Sequence, residues 1–181
     1  MLAAALLLTV GIPLVWFKGV STYKQEAERA KELFDAIAPF QQDLQRQIDA
    51  AGMQERIVFL GEVPAAEVHL WYQRCLLCVA CPRYEPFGLT PFEAAATGCA
   101  LVCSRTGAFD QLAIPGETGE MVDTGDVEGL TRAVLSVMRD PRHAARMGEA
   151  ARARVTEYFS LAREAEGIGH VYRALFEKAG V

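Results

Sequence analysis

The sequence lacks any cluster of lysine and arginine, has no internal repeat or low-complexity linker, and contains only three histidines. Its 18 basic residues are outnumbered by 23 acidic ones, which gives a formal net charge of −5. A surface that binds nucleic-acid phosphates is therefore not expected. The five cysteines are an odd number, and three of them share one apolar run, which argues against a secreted disulfide framework. These absences indicate a cytoplasmic protein with reduced thiols and no nucleic-acid partner.

Charged side chains are also missing from residues 1–17, MLAAALLLTVGIPLVWF. This run is shorter than the roughly 20 residues that span a bilayer, and it lacks the basic start and the cleavage site of a secretory signal. Gly11 and Pro13 would interrupt a helix, whereas a buried strand followed by a turn tolerates them. The sequence favours a buried segment here. A membrane-associated segment and a truncation artefact are the two alternatives.

What the sequence does have is an alternation of short apolar runs with helical patterns, in a chain that is 51% apolar and 23% charged. This alternation predicts a Rossmann-like α/β fold, with a parallel sheet covered by helices on both faces. In such a sheet, ligands bind beyond the carboxyl ends of the strands. We expect strands at residues 56–61, 75–80, 99–103 and 119–122. We expect helices at residues 24–51 with a break at Pro39, 65–74, 91–97, 127–139 capped by Asp126, 142–158 and 161–178.

The stretch CLLCVACPRYEPFGLTPFE, residues 75–93, first suggests a metal site. Cys75, Cys78 and Cys81 have the spacing that opens an iron–sulfur ligand run, but Glu85 stands where the fourth cysteine belongs. The residues between the cysteines are Leu, Val and Ala, which favour a strand. Positions three apart on a strand point to opposite faces, so the thiols would not converge. Buried free cysteine packs as a small apolar residue, and we expect no metal here.

The right half of the stretch can be read as a helix start alone. Thr90 suits the N-cap position, Pro91 suits N1, and Glu93 then falls at N3. Thr90 and Glu93 would form a capping box, in which each side chain bonds to the other's backbone N–H. On this interpretation the carboxylate has no further role.

The same residues can also be read as a binding site. The amides of residues 89–93 and the helix dipole would attract an anion, and Gly88 would let a ligand approach the backbone closely. Glu85 and Glu93 could accept hydrogen bonds from sugar hydroxyls on either side. A diphosphate that joins a ribose to a second sugar presents these groups. The residues alone leave both interpretations open.

A longer stretch, RYEPFGLTPFEAAATGCALVCSRTGAFDQLAIPGETGEMVDTGD, resembles the donor-binding signature of the retaining, GT-B-fold glycosyltransferases of group 1 (the GT4 class). Glu85 and Glu93 match the E-x7-E motif of that family. RIVFLGEVP resembles its preceding strand and FSLAREAEGIGHVYRAL its closing helix, so the likeness runs from about Phe40 to Leu175. The details GLTPFEA and GAF are similar to those of bacterial lipopolysaccharide-core mannosyltransferases.

The resemblance implies roles for individual residues. Glu85 would be the catalytic residue that contacts hydroxyls of the transferred sugar, without acting as a covalent nucleophile. Amides around Gly88 would hold the diphosphate, and Glu93 the ribose. The implied reaction transfers mannose from GDP-mannose, with retention and without a metal or cofactor, to a lipopolysaccharide-core or related glycan or lipid-linked acceptor. The substrate-binding residues expected in full are Arg83, Phe87, Gly88, Leu89, Thr90 and Glu93.

The sequence also departs from the family. Residues 1–40 match it poorly, residues 41–181 correspond to the donor-binding domain, and the N-terminal acceptor domain of a GT-B enzyme is absent. Gln111 replaces the usual loop acid, with Asp110 one place early. We therefore expect the chain by itself to be inactive; a non-catalytic nucleotide-sugar-binding module or an inactive truncated remnant is the alternative. The expected location is the cytoplasm, with peripheral association at the inner membrane as an open possibility.

Overall fold

The computed structural model describes residues 38–61 and 63–179, so the expectations for the apolar N-terminal run and for the helix from residue 24 to 37 lie outside the described residues. The chain divides into two compact units, one of which is residues 12–61. Its described part contains a helix, α1, at residues 38–50.

The strand expected at residues 56–61 is not formed, and that prediction was wrong. The Arg56 N–H instead donates to the Met53 carbonyl in a turn, over 2.9 Å, and the Val58 side chain is 71% exposed. An apolar run becomes a strand only beside a neighbour that accepts its backbone hydrogen bonds. The described part of residues 12–61 offers no such strand.

The other unit, which contains residues 62–181, is built on a parallel sheet. Its strands are β1 (Leu77–Ala80), β2 (Ala100–Ser104) and β3 (Glu120–Val122), in the order β1-β2-β3. Every residue of β1 and β2 is buried, which explains why their sequences are continuously apolar rather than alternating. The strands expected at residues 75–80, 99–103 and 119–122 are therefore confirmed.

Helices cover both faces of this sheet, as expected. One face packs against Tyr72, Phe92 and Leu112, and the other against Val137 and Met147. The helices are α2 (Ala65–Arg74), α3 (Leu89–Ala96), α4 (Phe109–Leu112), α5 (Val127–Arg139), α6 (Pro141–Tyr158) and α7 (Leu161–Ala179).

Two contacts fix the long helix α6 against the sheet. Gly148 lies against the carbonyl of Gly98, where a side chain would overlap the backbone. The Arg154 Nε–H donates to the Gln111 carbonyl over 2.7 Å.

Within residues 38–61 and 63–179, no helix has the length and apolar character needed to cross a membrane. The carboxyl ends of the three strands, from which the loops to α3, α4 and α5 begin, remain at one edge of the sheet.

Candidate functional site

Two loops meet at this edge, one after β1 (residues 81–88) and one after β2 (residues 105–108). The Ala108 N–H donates to the Phe87 carbonyl over 3.3 Å. Gly107 has a φ of +58°, and a Cβ placed on it would lie 2.6 Å from the Glu85 carbonyl oxygen and 3.0 Å from that of Phe87. Only glycine fits a left-handed position with so little space. The backbone from Glu85 to Phe87 therefore rests directly on Gly107.

Gly88 is enclosed in a similar way. Its φ is +82°, and a Cβ on it would overlap the ring of Phe109 and lie 2.7 Å from Cγ of Glu85. We expected glycine here in order to let a ligand approach the backbone. On the side where a Cβ would point, the space is filled by Phe109, which is 2% exposed, and by the Glu85 side chain. The chain's own packing requires the glycine.

Glu85 itself is half-buried in the middle of the first loop. Its Oε1 accepts a hydrogen bond from the Phe87 N–H over 3.4 Å. The carboxylate is thus tied to its own loop while still reaching the solvent. A carboxylate held in this way can accept a hydrogen bond from a ligand in one fixed direction.

Helix α3 begins at Leu89, earlier than expected, and Gly88 occupies the N-cap position without a side-chain cap. Thr90 and Glu93 therefore fall in the first and second turns, and the capping box, one of the two interpretations that the sequence left open, is not formed. The left-handed Gly88 starts the helix before Thr90 can cap it. The Thr90 side chain is instead hydrogen-bonded to the hydroxyl of Tyr72. Glu93 is exposed and has no capping role.

The first turn of α3 has the properties of an anion site. Backbone amides at the start of a helix have no acceptor within it, and those of Gly88 and Leu89 are in this position. Pro91 carries no N–H, so it adds no donor. The positive end of the helix dipole lies at the same place and favours negative charge. The structure thus brings Gly88 and Leu89 together with Glu85.

Tyr72 is a residue that the sequence analysis missed. It lies on α2, is 2% exposed, and joins α2 to the first turn of α3 through its hydrogen bond to Thr90. Burial raises the pKa of the Tyr72 hydroxyl, and the nearby Cys78 and Glu93 raise it further. Tyr72 therefore stays protonated in the physiological range. No local motif marks this contact, because it joins residues 18 positions apart.

Phe87 connects the first loop to the core through a series of aromatic contacts. Its ring stacks on that of Phe92 with centroids 5.1 Å apart, and Phe92 meets Phe159 edge to face at 4.9 Å. Phe87 remains 49% exposed. It can therefore offer apolar surface to a ligand beside Glu85 while its other side is anchored.

Arg83 lies elsewhere on the same edge. It is exposed and lines a cavity of about 210 Å³ at the carboxyl ends of the three strands. Of the predicted site residues it is the one that borders this cavity. Another residue that lines this cavity, Asp123, is paired with Arg105 over 3.3 Å. The cavity is lined by Cys81, Arg83, Ser104, Val122, Asp123, Gly125, Asp126, Val127 and Leu130.

The cysteines are free thiols that fill the core. Cys78, Cys99 and Cys103 are buried on the face covered by α3, whereas Cys81 packs on the other face. Burial raises the pKa of the thiols, to about 11 for Cys81, so they stay protonated at neutral pH. In the part of the chain that the structure describes, no three His, Cys, Asp or Glu side chains are grouped to hold a metal ion.

A parallel sheet covered by helices on both faces, with two interlocked glycine loops and a helix start at its carboxyl edge, is an α/β architecture of the kind found in GT-B glycosyltransferases. Comparison with known proteins agrees. Residues 37–154 match the model of the family "Glycosyl transferases group 1". The chain belongs to this family.

Individual relatives support the assignment. The chain is 46% identical over 136 residues to the lipopolysaccharide core biosynthesis mannosyltransferase LpcC of Rhizobium leguminosarum bv. viciae, a match that covers 75% of the chain and 38% of the relative. The sucrose-phosphate synthase from Thermosynechococcus elongatus superimposes with a TM-score of 0.68 at 30% identity, over 76% of this chain and 34% of that one.

The fold is shared as well with Anabaena Alr3699/HepE, whose structure was solved in complex with UDP. The TM-score is 0.70 at 22% identity, and the match covers 77% of this chain and 38% of that one. In each of these three cases the chain spans less than two fifths of the relative's length. The matched part is the part that carries the two loops and α3.

Proposed function

We propose that this chain is the nucleotide-sugar-binding part of a retaining mannosyltransferase that takes its sugar from GDP-mannose. The observation that carries the proposal is the placement of Glu85 and Glu93 around the start of α3, where the amides of Gly88 and Leu89 lack helical acceptors. A nucleoside diphosphate sugar presents an anion between two sets of hydroxyl groups. The site offers donors in the middle and acceptors on both sides.

The choice of mannose and of a lipopolysaccharide-core or related glycan acceptor is supported by the identity of 46% to a core mannosyltransferase. UDP, which is present in the structure of Anabaena Alr3699/HepE, is the competing nucleotide. Which of the two nucleotides binds this chain more tightly is therefore the first property to measure.

In the proposed reaction the amides at the start of α3 stabilise the leaving diphosphate. Donors fixed in advance where negative charge develops are a major source of rate enhancement. The half-buried Glu85 accepts a hydrogen bond from a hydroxyl of the transferred mannose and so fixes the orientation of the sugar. Glu93, exposed on the second turn, accepts from the ribose. Phe87 offers apolar surface to the bound ligand. Arg83, at the edge of the neighbouring cavity, assists in binding the diphosphate through its positive charge.

We also propose that the 181 residues need an acceptor-binding domain for turnover, because the matched 136 residues cover only 38% of the length of the mannosyltransferase relative. Retention would be tested on the two parts together, by reading the anomeric configuration of the product by NMR. Sugar transfer by the 181 residues alone would refute the need for a second domain. Nucleotide-sugar binding that persists when an acceptor domain is supplied, with no transfer, would favour a non-catalytic binding module.

The binding experiment uses calorimetry with GDP-mannose, GDP and UDP-glucose. We expect GDP-mannose to bind more tightly than UDP-glucose. Glu93→Gln should weaken both GDP and GDP-mannose about tenfold, since a hydrogen bond to a charged group is worth on the order of 1.5 kcal/mol or more. Glu117→Gln, an exposed carboxylate after α4, is the matched control and should bind as the wild type does.

The stability of the Glu93→Gln variant separates the two interpretations of that residue. Because Glu93 lies outside the cap of α3, we expect an unchanged melting temperature together with weaker binding. Unchanged binding with a lower melting temperature would assign Glu93 a structural role only. Absence of any nucleotide binding by the wild type would refute the proposed function of this chain.

A further inference from the structure

Phe109 is a large aromatic side chain at the start of α4, at the end of the second loop. It is 2% exposed, so it cannot itself contact a ligand in the solvent. Its ring edge lies against the Cα of Gly88, in the space that a side chain at that position would fill. Phe109 therefore determines how closely the loop after β2 approaches the loop after β1.

The side chain of Glu85 converges on the same place. Its Cγ lies 2.7 Å from the point where a Gly88 Cβ would be, and ring atoms of Phe109 lie at least as close to that point. The methylene group of Glu85 is thus a neighbour of the Phe109 ring. Below it, the Glu85 carbonyl lies against Gly107, where a Cβ would be 2.6 Å away. Residues 107–109 therefore contact both the backbone and the side chain of Glu85.

We propose that Phe109 is a positioning residue for Glu85, and that residues 107–109, here called the Gly107–Phe109 clamp, set the direction in which this carboxylate meets the transferred sugar. The inference rests on the proposed function, because it assumes that Glu85 binds the sugar of a nucleotide sugar. Phe109 would thus influence sugar binding without contacting the ligand.

The clamp acts more on the sugar than on the nucleotide. The amide of Leu89 and the carboxylate of Glu93 belong to α3, which is held by the buried ring of Phe92 and by the hydrogen bond of Tyr72. Phe109 is part of the same buried cluster, but its own contact with the first loop is made at Gly88, next to the side chain of Glu85. A smaller side chain at position 109 should therefore weaken the contribution of the sugar to binding more than the contribution of the nucleotide.

The test is the ratio of two dissociation constants, that of GDP divided by that of GDP-mannose, measured by calorimetry. Glu85→Gln shows how large the sugar contribution is, and we expect it to lower the ratio about tenfold. Phe109→Leu keeps the position apolar but replaces the ring with a smaller side chain, and should lower the ratio at least about threefold, with a smaller loss of GDP affinity than of GDP-mannose affinity. Val137→Ala, buried on the opposite face of the sheet, is the control for a general loss of stability and should keep the ratio.

Each outcome decides something. A wild-type ratio in Phe109→Leu, with Glu85→Gln reduced, would overturn the positioning role while leaving the proposed function in place. An equal loss of GDP and GDP-mannose affinity in Phe109→Leu would also overturn it.

If the wild-type chain binds neither ligand, the proposed function fails, and amide hydrogen exchange then tests the clamp by itself. Faster exchange at Phe87 and Ala108, whose amides are hydrogen-bonded within and between the two loops, in Phe109→Leu and not in Val137→Ala would support the contact; unchanged exchange would refute it.

Discussion

The substitution Gly107→Ala tests the contact between the two loops most directly. The new methyl group would sit at a φ of +58° and 2.6 Å from the Glu85 carbonyl oxygen. A left-handed backbone costs a residue with a side chain roughly 1–2 kcal/mol, and forcing a methyl group into filled space adds about 1–3 kcal/mol. We therefore expect the free energy of unfolding to fall by about 2–5 kcal/mol.

A matched glycine separates these two costs. Gly116 has a φ of +74°, but nothing lies within 4 Å of the place where its Cβ would be. Gly116→Ala should therefore lose only the roughly 1–2 kcal/mol of backbone strain. Urea denaturation of the two variants, with equal slopes against denaturant, measures the difference. If Gly107→Ala is no less stable than Gly116→Ala, the second loop does not confine Glu85, and the reasoning from the close contact is refuted.

Two further predictions concern the helices and the thiols. Asp126→Ala removes the carboxylate that accepts from the Gly129 N–H over 2.8 Å at the start of α5, and should lower the free energy of unfolding by about 1 kcal/mol, whereas Asp126→Ser should retain most of it. Because burial raises the pKa of the Cys81 thiol from 9.0 to about 11, the unfolded chain loses this proton first, so stability should be constant below pH 9 and fall as the pH rises towards 11. Urea midpoints measured from pH 7 to 10 check this, and Cys81→Ala should make the fall smaller; a fall as steep as in the wild type would contradict the assignment to this thiol.

The elements that could be predicted from the sequence are those that depend on local pattern. Continuous apolar runs identify β1 and β2, since both strands are buried on both sides. An aspartate before an amphipathic segment identifies the start of α5. Residues 56–61 have an equally apolar pattern, but a strand also needs a partner. A single run of sequence carries no information about whether a partner is present.

The start of α3 shows a different limit. Propensity favours Thr90 over Gly88 as the N-cap residue, yet the structure begins the helix at Leu89. The decisive contacts join residues far apart in the chain: Thr90 to Tyr72, and Gly88 to Phe109. The sequence predicts that both carboxylates lie near the start of one helix. It does not show which side chains pack against that start or form hydrogen bonds with it.

The glycines of the two loops show that a sequence motif does not reveal which neighbouring atoms require a glycine at a given position. A glycine beside a helix that binds anions is readily explained by the ligand, which needs space near the backbone. At Gly88 the space on the Cβ side belongs to Phe109, and at Gly107 it belongs to the Glu85 carbonyl. Both glycines therefore serve the approach of one loop to the other, and the ligand benefits indirectly, because that approach fixes the carboxylate. A substitution at either glycine should thus lower stability and sugar binding together, whereas Glu93→Gln should lower binding alone.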